Sequence, residues 1–277
     1  MLRKRAVLVL GVLTILLPLA GMADDESEKQ RAKLLEQMGT IAQETKVSFV
    51  EGSGEAALVD KPVFRYDDQP RRLIDATVWT WTYEGRPIAF QKIEAMDRDP
   101  RQWQHCFTSL AEDRLQVQWG GGRKYQSTEA GVAYRAVPDA PAIAPRTLER
   151  RRQLRELARG FTARILLDPR SKDSQEMRLL TTPIFEFDDE KTKLLKGAVF
   201  GYSTNGTNPD LLIVLEARPS PDKPAWHYAP ARMTTGGVTV TYGDKTVWEC
   251  AFTEPGQNAF PTWTYFQTSR VAVEENK

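Results

Sequence analysis

The chain has 277 residues, with 38 Lys and Arg against 37 Asp and Glu, two cysteines and two histidines. Its near-neutral formal charge of +1 argues against a nucleic-acid binder, whose affinity rests on neutralising phosphates. The absence of any Cys-x-x-Cys pair argues against thioredoxin-type redox chemistry and a cysteine-rich zinc site, and the length suits one large or two ordinary domains.

Met1-Leu-Arg-Lys-Arg5 sets three cations before the apolar run from Ala6 to Gly21, and Asp24-Asp25 follows it. This pattern predicts a signal peptide over residues 1–23 and export to the periplasm or the extracellular space. The run is shorter than the ~20 apolar residues of a membrane span, so no stable membrane anchor is expected after cleavage. Removing Arg3, Lys4 and Arg5 takes the formal charge from +1 to −2.

Within Lys29 to Glu44, Leu34, Leu35, Met38 and Ile41 recur at helical spacing. The sequence then shows an internal repeat. Pro62-Val-Phe-Arg-Tyr-Asp-Asp68 returns as Pro183-Ile-Phe-Glu-Phe-Asp-Asp189, Gly85 answers Gly206, and Ile93-Glu-Ala95 answers Leu215-Glu-Ala217. Trp103 answers Trp226, and Val117-Gln-Trp-Gly120 answers Val240-Thr-Tyr-Gly243. Alternation in Val78 to Tyr83, and again in Phe200, Tyr202 and Thr204, predicts strands. Ala89 to Ile93 carries Gln91 and Lys92 and is expected to be wetter than its counterpart Leu211 to Leu215, which is apolar on both faces. Each copy closes on a hairpin, through Gly120-Gly-Gly122 and through Gly243-Asp-Lys245. Three prolines between Val137 and Pro145 mark a linker over 138–146, and a second helical pattern starts at Thr147. The expected fold class is α+β, as two tandem copies of a module with one N-terminal helix and a mainly antiparallel β-sheet. Module 1 covers 24–137 and module 2 covers 147–277.

The residues that carry chemistry do not converge on a catalytic set. Asp67-Asp68 and Asp188-Asp189 read as turn caps, because adjacent strand residues point to opposite faces and no calcium-loop spacing surrounds them. Glu94 and Glu216 each end an apolar strand, where pairing with arginine or exit to water is the favoured account. His105 and His227 sit at different offsets from the repeated tryptophan. The seven arginines between Arg146 and Arg164 read as a solvated helix face. Trp79, Trp81, Trp103 and Trp119 are expected in the core. No catalytic, cofactor-binding or metal-binding residue is assigned. In an oxidising compartment Cys106 and Cys250 either form one bridge between the modules or remain buried free thiols. Trp263 and Tyr265 have no counterpart in the first copy and are candidates for capping the second module or for an exposed surface contact.

The stretch Leu179 to Phe187, then Gly206-Thr-Asn-Pro-Asp210, Leu211 to Arg218 and Trp226 to Met233, resembles a group of uncharacterised secreted proteins of planctomycete bacteria. The second copy carries the likeness, and the first lacks the Gly-Thr-Asn-Pro-Asp turn. The resemblance implies an exported bacterial protein and transfers no catalytic residue. The functional expectation is a non-enzymatic protein that binds a partner protein or an extracellular polymer. The alternative is a hydrolase acting on carbohydrate or peptide through Glu216, or through Asp188 and Asp189, in a cleft between modules.

Overall fold

The structure is a computed structural model that describes residues 20–52, 54–97, 102–171, 173–190, 195–254 and 261–269. The expected signal peptide falls largely outside the described residues. No described helix is long and apolar enough to cross a membrane.

In the first half α1 (Ala20–Gln43) leads into β1 (Lys46–Phe49), β2 (Ala57–Leu58), β3 (Phe64–Asp68), β4 (Leu73–Tyr83), β5 (Arg86–Met96), β6 (Gln102–Ser109), β7 (Leu115–Gln118) and β8 (Lys124–Gln126). The short β9 (Arg135–Ala136) follows. In the second half α2 (Thr147–Arg159) leads into β10 (Phe161–Leu166), β11 (Gln175–Leu179), β12 (Phe185–Asp188), β13 (Leu195–Ser203), β14 (Leu211–Arg218), β15 (Ala225–Arg232), β16 (Gly237–Tyr242), β17 (Lys245–Cys250) and β18 (Trp263–Ser269).

These strands build three sheets, all antiparallel. One runs β1-β7-β8, a second runs β18-β6-β5-β4-β2 with β3 also on β4, and a nine-stranded sheet runs β17-β16-β10-β11-β13-β14-β15-β9 with β12 on β13. A lone antiparallel bridge pairs Ser48 of β1 with Glu55, in the segment before β2. The α+β expectation of two tandem modules is therefore corrected: the described chain is mostly β, with two α-helices against eighteen strands. The halves also do not close on themselves. β9 leaves the first half to pair with β15, and β18 leaves the second to pair with β6, so each half covers an open edge of the other.

Period-two alternation sets the layers. On β5, Ala89, Ile93 and Ala95 join Trp79, Trp81, Trp103 and Trp119 beneath Leu34, Met38 and Ala42 of α1. On β14, Leu211, Ile213 and Leu215 face Leu154, Leu157 and Ala158 of α2. The opposite faces, including Ala76, Val78 and Phe90 from one half and Val199, Leu212 and Val214 from the other, meet in a shared core. Gln91 is fully buried and Lys92 is 4 % exposed, so the wetter strand expected at 89–93 is buried on both faces. Trp119 Nε1 donates to Gln91 Oε1 at 3.0 Å, and Lys92 Nζ lies 3.7 Å from Glu94, so both polar groups are matched inside. The arginines of α2 are in part ion-paired on its surface, Arg152 with Glu156 and Arg151 with Glu186.

Candidate functional site

The acidic candidates are dispersed by the fold, and Asp68, Glu94 and Glu216 each have a cation within 4 Å. Asp68 is buried and accepts from the Arg71 backbone at 3.3 Å, capping the turn Gln69–Arg71, while Asp67 is exposed. Asp188 is exposed at the end of β12 and Asp189 is half-buried. Glu94 accepts from Tyr66 at 2.6 Å and from Gln104 at 2.7 Å. Burial, reinforced by Glu94, holds the Tyr66 hydroxyl well above its ordinary range. Glu216, 1 % exposed, accepts from Arg86 at 2.7 Å with Lys196 at 3.7 Å.

The resemblance motif lies in this interior network. Asn208 Oδ1 accepts from Lys92 at 2.9 Å, and the Pro209 carbonyl accepts from the same ammonium at 3.2 Å. Asp210 takes both ends of the Arg71 guanidinium at 2.7 Å, and Thr204 donates to it at 3.0 Å. These charge-assisted bonds join residues of the two halves across the shared core.

His105 is buried, stacked on Phe266 with ring centroids 4.6 Å apart. Because Trp119 donates to Gln91 Oε1, the amide nitrogen of Gln91 faces His105 Nδ1 at 3.1 Å. The ring proton is thereby assigned to Nε2, which donates to Thr268 Oγ1 at 2.8 Å. Burial, with Arg123 adding repulsion, pushes this imidazole down to about 3. His227 is half-buried, with Nδ1 3.1 Å from the Ala225 carbonyl. No cluster of three metal-ligating side chains occurs among the described residues.

Cys106 and Cys250 are both free thiols. Cys106 lies in the shared core, where burial pushes it up to about 12, and burial also raises Cys250 at the end of β17. Trp263, considered as a surface contact, is 2 % exposed and stacks on Arg232 at 4.6 Å. Tyr265 is half-buried against the shared core. Pairing of β18 with β6 draws both into the first half's sheet.

An open groove lies elsewhere, on the outer face of β1-β7-β8. Register sets Lys46, Gln118 and Lys124 in one row and Ser48, Gln116 and Gln126 in the next. Val47, Leu115, Val117 and Tyr125 point inward to the core, which fixes these polar residues outward. With Phe49, Gly52, Gly54 and Glu55 they line a groove of about 660 Å³. Phe49 meets Tyr83 edge-on at 5.0 Å. In the sequence, the alternate glutamines of Leu115-Gln-Val-Gln-Trp119 are the visible mark of this face. The corresponding face of the second half carries threonines, and Thr162 and Thr241 hydrogen-bond to each other at 2.6 Å.

Comparison with protein families, with curated proteins and with solved structures finds no match.

Proposed function

We propose that this is an exported, non-enzymatic binding protein that holds an extracellular polysaccharide in the groove on β1-β7-β8. The observation that carries the reading is the two-row array of Lys46, Gln118, Lys124 and Ser48, Gln116, Gln126. Amide side chains both donate and accept, as sugar hydroxyls do, and the lysines add donors. Strand spacing makes the array roughly 10 by 7 Å, a size comparable with two linked sugar rings. Phe49 adds one aromatic side chain to the lining.

A hydrolase would need two free carboxylates at the ~5 to 9.5 Å separations of glycosidases. Glu216 is instead buried beneath Arg86 and Lys196, which favours the binding reading. The signal-peptide pattern and the planctomycete resemblance support export.

The test is retention of residues 24–277 on immobilised polysaccharides, beside the double variant Gln116→Ala with Gln118→Ala. Retention by the parent, lost in the variant without a change in melting temperature, supports the reading. Retention unchanged in the variant, or capture of an envelope protein in place of any polysaccharide, overturns it.

A further inference from the structure

Two cations are buried among the described residues, Lys92 and Arg232. Lys92 has Glu94 beside it, and the half-buried Arg65, Arg71 and Arg86 are likewise paired with Asp75, Asp210 and Glu216. Arg232, 8 % exposed at the end of β15, differs. Its Nε donates to the Thr234 carbonyl at 3.0 Å, one terminal nitrogen to Ala251 at 3.0 Å and the other to Gly236 at 2.8 Å. Its electrostatic neighbours are the thiols of Cys250 and Cys106, both raised by burial and neutral at pH 7. No carboxylate among the described residues stands within ion-pair distance of it.

A guanidinium carries five N–H donors, so three carbonyl bonds leave two unused. Burying a charge without a counter-charge is costly, and stacking on Trp263 offsets only part of that cost. Arg232 also lines an open cleft of about 390 Å³ where the two halves exchange strands, with Thr108, Arg135, Trp248, Cys250 and Trp263 around it. Arg135 is likewise held by a carbonyl, that of Val247 at 2.6 Å. Two acids, Glu129 and Glu249, also line the cleft, and both are exposed to solvent.

We propose that this cleft is a binding site for a small carboxylate on a compact apolar body, with Arg232 as its buried counter-charge and Trp248 as one wall. The three carbonyl bonds hold the guanidinium in place before the ligand arrives, which lowers the ordering cost of binding. The site is separate from the groove on β1-β7-β8 and stands whether or not that groove binds a polymer.

The matched probes are benzoate and benzamide, equal in shape and different in charge, titrated into the full chain by thermal melting. Benzoate is expected to raise the melting temperature with concentration, and benzamide is not. Arg232→Met is expected to weaken benzoate binding about 10- to 100-fold, the worth of a charged hydrogen-bond partner. Should Arg232→Met fail to fold, NMR of the parent decides: benzoate shifts the Arg232 Nε–H and Trp263 indole resonances. No benzoate stabilisation, an equal effect of benzamide, binding retained in Arg232→Met, or NMR shifts confined elsewhere would each overturn the proposal.

Discussion

The β4–β5 hairpin of the first half turns through two residues, Glu84 and Gly85, whereas the matching β13–β14 hairpin of the second takes seven, Thr204 to Asp210. The short turn has φ of 49° and 74° at its two positions, a geometry that glycine at the second makes cheap. It sets Arg86 at the head of β5, where the guanidinium reaches Glu216 of the other half. The long loop carries Asn208 and Asp210 to Lys92 and Arg71. Each half thus grips the other with its central hairpin, one through a cation and the other through an anion and an amide. Paired strands with opposite charge at their turns make the halves complements rather than interchangeable copies.

The largest effect is expected at the long loop. Asp210→Ala leaves Arg71 without its bidentate partner inside the network and should cost about 3 kcal/mol or more in urea unfolding. A loss within 0.5 kcal/mol would show that the loop does not hold the halves together. At the short turn, Arg86→Met exposes Glu216 to a weaker remaining partner, Lys196 at 3.7 Å, and should cost about 2 to 3 kcal/mol. Adding Glu216→Leu to Arg86→Met should recover most of that loss, because removing both charges also removes their desolvation penalty.

Acid should separate the halves next, because the second has no counterpart to the deeply buried His105. The unfolded chain takes up a proton near 6.5, whereas folded His105 stays neutral down to about 3. Stability attributable to this residue is therefore complete above 6.5 and falls by about 1.4 kcal/mol per pH unit below it. Between pH 7 and pH 5 the loss should reach about 2 kcal/mol, and His105→Gln should flatten that slope in pH-dependent denaturation. The smallest effect on stability belongs to the groove: Gln116→Ala with Gln118→Ala should stay within about 0.5 kcal/mol of the parent.

The strands, and the faces they bury, were readable along the chain. Trp79 and Trp81 fall in the core because their alternation with Val78 and Thr80 fixes which side each takes. The central strand Leu211 to Leu215 is buried on both faces because it is apolar on both. Lys92 misled, since a lysine in a strand ordinarily marks water, and its burial depends on Glu94 beside it and Asn208 from the other half. Trp263 misled in the other direction, because nothing near it in sequence announces that β18 will pair with β6. The module count misled in the same way: each half looks self-contained until β9 and β18 cross over. The groove was half visible, in the alternate glutamines of β7, but its width came from placing β1 beside them.

By itself the sequence determined the local geometry: periodicity decides helix or strand, and parity decides the face to which each side chain points. Tertiary structure alone decided what stands opposite each face. Arg71 meets Asp210 across 139 positions, and Arg86 meets Glu216 across 130. Such pairings follow from how the sheets stack, because a charge has no sequence period that records its distant partner. For the same reason the unmatched Arg232 became visible only once the other interior cations had been given theirs.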